Sequence, residues 1–432
     1  MSFTVWVFGD LPLDRACGPS YMVRSWAREL DRLGVRTRLF VPSGSWREHT
    51  RTADLVTFRT VRHVGYRGDC CAQFSTLAQL RRARHELPDV ILVATPGRVG
   101  VLGITLAARY SIPLVLVVST DTIGAVRYYG AARLAVSGGL KPLALLWAAP
   151  KVRAAALRRW RPPGRVRGLA ARLAGRCADA LLVQAQQLVL LSTKSVPEYG
   201  ADTGPRTWVI PTGIDRLPPT SPPQELRWRP GALRVLYVGR FAPEKSLPLL
   251  VQALRTAVAQ GIDMHLVLVG EGPLAGELAA LAARCGVADR LTILGPYPRA
   301  ELGGVYASAD VFAFPSVVET QAFVLNEAAH EGLPLLVSDP EVNPVVCDGD
   351  SALVVAHHAQ AYADGLEKLR DVTLRARLGA AARRRAGDLV EATQTQRLAS
   401  VLRDAVDQDG GRAVRAQHDG YTEGGATATS GC

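Results

Sequence analysis

The chain has 432 residues, of which 48% are hydrophobic and 21% charged, and its formal charge is +12 at neutral pH. This length predicts two or three domains, and so apolar a composition excludes a chain that is disordered throughout. The seven cysteines show no C-x-x-C spacing, which argues against a disulfide framework and a zinc site and favours a reducing, cytoplasmic compartment.

Short apolar runs rich in Val, Ile and Leu alternate along the chain with segments of helical periodicity, such as 20–33 and 274–285. This alternation, with strands that are apolar throughout, predicts an α/β fold whose parallel sheets are covered on both faces. In chain order the predicted strands are 3–8, 36–41, 90–94, 114–118, 180–184, 207–210, 233–238, 264–269, 291–294, 311–314 and 334–337.

A proline-rich connector divides the chain. Four prolines lie within 218–223, which makes this stretch stiff and extended. We therefore predict a first domain over 1–205 and a second over 206–405. Residues 406–432 are rich in Gly, Thr, Ala and Asp without periodicity, and they predict a disordered tail.

The basic excess belongs to the first half alone. Residues 1–205 hold 29 basic and 13 acidic residues, a net charge of +16, whereas residues 206–432 carry a net charge of −4. A nucleic-acid-binding protein is a distant alternative, because no binding motif or aromatic platform accompanies the charge. No apolar stretch is long enough to cross a membrane, and no charged region precedes the first apolar run, so neither a spanning helix nor a signal peptide is expected.

Two cations follow a predicted strand in the second half. The strand ends at Val238, and Arg240 and Lys245 lie in the loop after it. Ligands of open α/β sheets bind at the carboxyl ends of strands, and an Arg fork with a Lys point charge suits a diphosphate. Two solvated surface charges are the competing interpretation.

Two glutamates flank the start of a predicted helix. Glu319 lies in the loop after the strand 311–314, and Glu327 lies eight residues further on, in a helix beginning near Ala322. The first amides of a helix have no partner within it and attract anions, while carboxylates accept hydrogen bonds from hydroxyls. The spacing alone says little, because two glutamates eight apart are common.

The ordered string of motifs is more specific. Gly239-Arg240 with Lys245, Gly270-Glu271-Gly272-Pro273, the run 310–316, Glu319-x7-Glu327 and Gly332-Leu333-Pro334 resemble the retaining nucleotide-sugar glycosyltransferases of family 4. The resemblance is strong over about 205–405 and looser before it. It implies the GT-B fold, in which two Rossmann-like doubly wound domains face each other across a cleft.

The resemblance implies roles for the four charged residues. Arg240 and Lys245 would hold the donor diphosphate and stabilise its departure, and Glu327 would accept hydrogen bonds from the nucleotide ribose. Glu319 would contact the donor sugar. The expected activity is transfer of a hexosyl group from a nucleotide sugar, with a UDP-sugar as the expected donor, to an acceptor hydroxyl with retained configuration.

The resemblance also implies backbone contacts. Amides of Ala322, Phe323 and Val324 would lie near the donor sugar, Gly18 would let the first domain approach the phosphates, and the base would lie against Gly295. No metal or other cofactor is expected. The last helix of such folds can pack back on the first domain.

The first domain departs from the family at one point. Members often carry a His at the strand end facing the donor sugar, where this chain has Ser119, with Asp121 close behind. Asp121 is a catalytic candidate here, and the backbone or the acceptor are the alternatives. A simple helix cap at Asp121 is an equally good interpretation.

Two features bear on the acceptor. Asp10 and Asp14, with Asp121, would form an acidic rim that suits a small polyhydroxyl or aminocyclitol acceptor, as in bacterial antibiotic biosynthesis; capping of turns by Asp10 and Asp14 is the alternative. Residues 151–176 contain nine basic residues, no acid and interleaved apolar residues. Segment 140–176 therefore predicts either peripheral contact with an anionic membrane and a lipid acceptor, or a solvated basic helix pair.

Overall fold

The computed structural model describes residues 3–14, 17–43, 54–58, 60–62, 70–72, 87–119, 184–199 and 206–422, with side chains up to residue 408 in the last helix. The described chain forms two α/β units, each built on a parallel sheet. Two doubly wound sheets are the architecture that the alternating pattern predicts.

Seven parallel strands form the first sheet, in the order β3-β2-β1-β6-β7-β8-β9. They are β1 Thr4–Phe8, β2 Arg36–Pro42, β3 Asp54–Phe58, β6 Val90–Val93, β7 Leu114–Val118, β8 Gln187–Leu190 and β9 Arg206–Val209. A separate antiparallel pair joins β4 Thr60–Arg62 to β5 Cys70–Ala72. The described helices here are α1 Gly18–Arg32, α2 Arg98–Tyr110 and the short α3 Val196–Tyr199.

Six parallel strands form the second sheet, in the order β12-β11-β10-β13-β14-β15. They are β10 Leu233–Val238, β11 Met264–Val269, β12 Leu291–Leu294, β13 Val311–Phe314, β14 Leu335–Val337 and β15 Ala352–Val354. The helices are α4 Leu247–Ala259, α5 Ala275–Arg284, α6 Leu302–Ala307, α7 Phe323–His330, α8 Ala359–Lys368, α9 Val372–Gly387 and α10 Glu391–Thr422.

Successive residues of each strand supply opposite faces of the sheet. In β1, Val5 and Val7 join the core on one face, whereas Trp6 and Phe8 join the core on the other. All four side chains are essentially inaccessible to solvent. A strand buried on both faces has no polar side, which explains the continuous apolar runs of the sequence.

The last helix, α10, leaves the second domain and covers one face of the first. Leu398, Val401, Leu402 and Ala405 recur at the spacing of one helical stripe and are buried in the same cluster as Val5 and Val7. Removing this apolar area from water is what holds the helix on the first domain.

The chain crosses between the domains twice, and the two crossings touch. The amide of Ile214 donates to Leu389 O at 2.9 Å, and the amide of Glu391 donates to Asp215 Oδ1 at 3.0 Å. A Cβ on Gly213 would lie 2.3 Å from Val390 O, so only glycine allows the two backbones this close.

The end of the first domain differs from the sequence prediction. Strand β9 pairs with β8, so the first sheet extends to Val209 and does not end at residue 205. The predicted strand 180–184 lies outside the described residues except for its last residue. The described strand β8, Gln187–Leu190, pairs with β7 and was not predicted.

The C-terminal end also differs from the prediction. The backbone of α10 is helical through Thr422, where the sequence predicts a disordered tail from residue 406. No proline interrupts 391–422, so the backbone chemistry does not require the helix to stop earlier. Residues 423–432 lie outside the described part of the chain.

Candidate active site

The strand order of the second sheet creates a crevice beside β10. From β10 the chain winds outward through β11 and β12, and from β13 it winds the other way through β14 and β15. Neighbouring strands β10 and β13 therefore form the switch point, and ligands of open α/β sheets bind beyond the carboxyl ends of such strands. The loops carrying Arg240 and Glu319 begin at these two ends.

Lys245 and Glu319 meet in this crevice. The Lys245 ammonium donates to Glu319 Oε1, and Ser316 Oγ donates to the same oxygen at 2.8 Å. Each charged side chain is only 14% exposed. The two predicted residues therefore form one partly desolvated ion pair, in which the ammonium keeps further donors for a phosphate and the carboxylate keeps lone pairs for a hydroxyl.

Arg240 lies at the rim of the same loop. Its guanidinium donates to Glu244 Oε1 at 2.9 Å and is 54% exposed, whereas Glu244 is buried. The loop between β10 and α4 thus aligns one accessible cation with one partly buried cation. Neither is the isolated solvated charge of the competing interpretation, because each is held by a carboxylate.

Glu327 is fixed from both sides. Arg299 Nε donates to its Oε1 at 2.7 Å, and the Tyr306 hydroxyl donates to its Oε2 at 2.8 Å. Burial raises the pKa of Tyr306, which keeps that hydroxyl protonated as a donor. Although burial opposes the charge of Arg299, the nearby Glu327 carboxylate raises the pKa of that guanidinium. The carboxylate is thereby held in one orientation.

Arg299 also reaches the first domain. Its guanidinium lies over the ring of Tyr21 on α1, 4.4 Å from the ring centroid. The Tyr21 hydroxyl donates to Glu391 at the start of α10. Arg28, which lies on α1 with Tyr21, pairs with the buried Glu391 carboxylate. A continuous set of polar contacts therefore links Glu327 to Glu391, where the chain crosses between the domains.

Helix α7 points its amino end at the crevice. Ala322 is its N-cap, and no side chain of the described residues caps it, so the first amides of Phe323 and Val324 are available to an anion. Gln321 holds the approach to the helix by bonding both the amide and the carbonyl of Thr212, at 2.8 and 2.9 Å.

Gly18 faces the start of α7, and Gly295 follows a strand of the second sheet. A Cβ on Gly18 would lie 3.3 Å from the ring of Phe323, so the first turn of α1 faces the start of α7 across the cleft. Gly295 follows β12, and a Cβ there would meet nothing within 4 Å. All the predicted donor-binding residues therefore lie around the carboxyl edge of the second sheet and the facing end of α1.

Asp10 does not form part of an acidic rim. Its Oδ1 accepts from the amide of Val99, and its Oδ2 accepts from Gly97 and from the Thr95 hydroxyl, at 2.6 to 2.8 Å. The turn-capping alternative is thus the one that the structure contains, with Asp10 capping α2. Burial raises the pKa of Asp10, and the hydrogen bonds from Thr95, Val99 and Gly97 oppose that rise in part.

Of the other residues predicted to contact the acceptor, only Asp14 lies in the part of the chain that the structure describes. Asp14 is exposed in the loop before α1, so it remains on the surface that the sequence assigned to an acceptor. Asp121 and segment 140–176, with its predicted membrane contact, lie outside the described residues. Ser119 directly follows β7, and its carbonyl accepts from the Thr320 hydroxyl of the second domain at 3.1 Å.

Sequence reasoning missed Arg299, Tyr306, Gln321 and Lys194. Each is a single polar residue with no motif of its own, and its role depends on which loop the fold places opposite it. Only Gln321 carried a signal, since a Gln directly before the start of a helix lies where backbone contacts concentrate.

Two kinds of feature are absent from the described residues. Among them no group of three His, Cys, Asp or Glu side chains has the arrangement of a metal site. No helix formed by the described part of the chain is long and apolar enough to cross a bilayer.

Comparison with known proteins places these features. Residues 222–385 match the family described as Glycosyl transferases group 1. A D-inositol 3-phosphate glycosyltransferase of Nocardia farcinica is 35% identical over 214 residues, which cover 45% of this chain and 46% of that protein. An alpha-D-kanosaminyltransferase of Streptomyces kanamyceticus is 31% identical over 32% of this chain and 34% of its own. The chain thus matches about half, or less, of the length of these curated relatives.

Solved structures resemble the whole fold. A sucrose-phosphate synthase from Thermosynechococcus elongatus superimposes with a TM-score of 0.67 at 18% identity, covering 94% of this chain and 99% of that one. The Anabaena protein HepE, solved with UDP and glucose, gives a TM-score of 0.64 at 16% identity, covering 93% of this chain and 100% of that one. At these identities the likeness establishes the fold, which is the two-domain GT-B architecture that the motifs predict.

Proposed function

We propose that this chain, whose residues 222–385 match the family of glycosyl transferases group 1, moves a sugar from a nucleoside-diphosphate donor to an acceptor hydroxyl. One observation carries the proposal. Lys245 pairs with Glu319 in the switch-point crevice, Arg240 lies in the same loop as Lys245, and the uncapped helix α7 that begins beside this loop end carries Glu327. Two cations suit a diphosphate, and two carboxylates suit the hydroxyls on either side of it.

The charge that develops on the departing diphosphate determines the chemistry. Lys245 and Arg240 would stabilise this charge as the bond to the sugar breaks, and a prearranged cation in a partly desolvated crevice is effective at that task. Before the donor binds, Glu319 holds Lys245 in place. On binding, the phosphate takes the ammonium, and Glu319 turns its lone pairs to the sugar hydroxyls.

Glu327 would bind the nucleotide rather than the reacting atoms. Arg299 and Tyr306 occupy one lone pair on each oxygen, and the remaining lone pairs can accept from the ribose hydroxyls. We further propose the retaining stereochemistry of family 4, in which the acceptor hydroxyl attacks from the face that the diphosphate leaves. No metal is required by this scheme, since the two cations supply the positive charge.

A UDP-sugar is the proposed donor. Support comes from the structural likeness to HepE, which was solved with UDP and glucose. A relative in Mycolicibacterium smegmatis named as a GDP-mannose-dependent mannosyltransferase, 27% identical over 58% of this chain, makes GDP the competing base. The base would lie by Gly295, where the exposed backbone leaves room for either ring size.

A small cyclitol is the proposed acceptor, as an aminocyclitol of bacterial antibiotic biosynthesis or a cyclitol phosphate. The names of two relatives, an inositol phosphate glycosyltransferase and a kanosaminyltransferase, support this class. Asp10 no longer argues for an amine, because its carboxylate caps α2. Asp14 still does, whereas the net charge of +16 over residues 1–205 favours a phosphate.

A lipid acceptor is the second candidate, and the basic segment 140–176 carries it. Nine basic residues without an acid within 151–176 would bind an anionic surface from the cytoplasmic side. Anionic vesicles should retain the purified chain if this candidate is correct, and about 0.5 M salt should release it because salt screens the attraction. That result would favour the lipid acceptor over the cyclitol.

The decisive experiment is a panel of nucleotide sugars. Thermal shift and hydrolysis of UDP-, GDP- and dTDP-sugars should single out one donor, and transfer to inositol, inositol phosphate and an aminocyclitol should then single out one acceptor. NMR of the product gives the anomeric configuration. A purified, folded chain that neither binds nor cleaves any of these donors would overturn the proposed function.

A further inference from the structure

The loop that carries Glu319 is held partly by the other domain. It runs from the end of β13 at Phe314 to the start of α7 at Phe323. Its two ends are fixed within the second domain and the linker, through Ser316 and Gln321. Its middle, Val317 to Thr320, reaches across the cleft.

Two contacts cross there, one on each side of Glu319. Lys194 Nζ donates to Val317 O at 2.6 Å, and the Thr320 hydroxyl donates to Ser119 O at 3.1 Å. Lys194 follows the end of β8 and Ser119 follows the end of β7, and these strands are neighbours in the first sheet. Residues at the carboxyl ends of two strands of the first sheet therefore bind the loop on both sides of Glu319.

Lys194 makes the stronger of the two contacts. Besides Val317 O, its ammonium pairs with Asp339 Oδ2 at 2.6 Å. The side chains of Lys194 and Asp339 are 21% and 12% exposed, so the pair is largely withdrawn from water. Water screens such a pair less than it screens a pair on the surface, so the attraction between Lys194 and Asp339 favours the arrangement in which the two domains touch.

We propose that Lys194 is a positioning residue that couples closure of the two domains to the placement of Glu319. With the domains together, the Lys194–Asp339 pair forms and Val317 is drawn toward the first sheet. Glu319 then stands against Lys245 in the arrangement that receives the donor. With the domains apart, the middle of the loop loses both first-domain bonds, and Glu319 is held only by Lys245 and Ser316 of its own domain. The inference rests on the proposed glycosyl transfer.

The coupling separates binding from turnover. Arg240, Lys245 and Glu327, which would bind the nucleotide, all belong to the second domain, so UDP can bind with the domains open. The correct placement of Glu319, in contrast, needs the first domain. A small displacement of a positioned group lowers a rate by up to about 10²-fold.

Lys194→Met tests the coupling, because methionine keeps an apolar stem of similar length. We expect kcat to fall about 10- to 100-fold, the dissociation constant of UDP by calorimetry to stay within about twofold of wild type, and small-angle scattering to show a more open molecule. Lys194→Arg should restore most of the rate, since it can form both bonds. Asp339→Asn, which removes the charge but keeps the Val317 bond, should give a smaller loss and serves if Lys194→Met does not fold.

Arg229→Met is the matched control. Arg229 pairs with Asp263 within the second domain. Asp263 directly precedes β11, so the pair lies at the edge of the sheet opposite the crevice. Neither kcat nor the scattering profile should therefore change. Unchanged scattering in Lys194→Met, or open scattering with a wild-type kcat, would overturn the positioning role. A wild-type chain that turns over no nucleotide sugar, while Lys194→Met still opens the molecule, would overturn the proposed function and leave the closure contact intact.

Discussion

The two sheets share one winding pattern but use their switch points differently. In the second sheet, the crevice between β10 and β13 collects Lys245, Glu319 and an uncapped helix start. In the first sheet, the equivalent crevice between β1 and β6 is occupied by the protein itself, because Asp10 accepts the amides at the start of α2. One crevice is left for a ligand, and the other is filled by a carboxyl group of the protein itself.

This difference shows that topology supplies the place and the loops decide its use. A helix start beside a switch point attracts an anion in either sheet. In the first domain the side chain after β1 satisfies that attraction permanently, so the domain is left to contribute contacts at β7 and β8. In the second domain no acidic side chain does so, and the attraction remains for a donor.

The largest expected effect comes from removing the partly buried Lys245 ammonium from the ligand crevice. Lys245→Ala should lower kcat by about 10²- to 10³-fold, because one prearranged charge-stabilising group is worth that much. Steady-state kinetics with the donor found by the panel measures it. Lys368→Ala, an exposed lysine at the end of α8, is the control; a wild-type kcat in Lys245→Ala would refute the role of the crevice.

Removing the Asp10 carboxyl group should destabilise the first domain. Asp10→Ala leaves the partly buried amides of Gly97 and Val99 without an acceptor, at a cost of about 3 kcal/mol in the free energy of unfolding. Thermal or urea unfolding measures this loss, and UDP binding should persist. Asp14→Ala, in the same loop but exposed, should change stability by less than about 0.5 kcal/mol. Equal losses in both variants would contradict the capping role.

Glu327→Gln sharpens the description of the ligand crevice. An amide accepts a weaker hydrogen bond from the ribose than a carboxylate, so the donor KM should rise about tenfold with kcat little changed. A donor lacking a ribose hydroxyl should then lose its disadvantage in the variant. Glu331→Gln, whose carboxylate pairs with Arg216 on the far side, should leave both constants unaltered. A fall in kcat alone would place Glu327 at the reacting sugar instead.

The smallest effect tests what is left of the acidic rim. Asp14→Asn should raise the KM of an aminocyclitol acceptor about threefold, as expected for one exposed charge pair, and leave that of an inositol phosphate unchanged or lower. Competition between the two acceptors in a single assay measures the ratio directly. Identical ratios for wild type and variant would remove Asp14 from the acceptor site.

The sequence predicted the second domain in more detail than the first. Its apolar runs gave all strands but the short β15, and its motifs gave Arg240, Lys245, Glu319 and Glu327, because strand ends and helix starts are encoded locally. Each of those residues lies in a loop directly after a strand or near the start of a helix, so its place at the edge of the sheet can be inferred from chain order.

Contacts between distant segments could not be inferred in that way. Lys194 lies 145 residues from Asp339, and Arg299 meets Tyr21 from another domain; nothing in either local sequence marks the partner. Asp10 illustrates the same limit, since an acidic residue after a first strand suits a ligand or a cap equally well. Its role was decided by the loop after β6, 85 residues away.

Helix α10 has a consequence for engineering by recombination. The stretch from Leu398 to Ala405 completes the core of the first domain, so the unit that would select the acceptor is discontinuous along the gene. A chimaera joined only at the proline-rich linker would put a foreign helix into that core. Exchanging acceptor domains between relatives therefore needs two crossover points, one in the linker and one at Leu389–Glu391, where the crossings already touch.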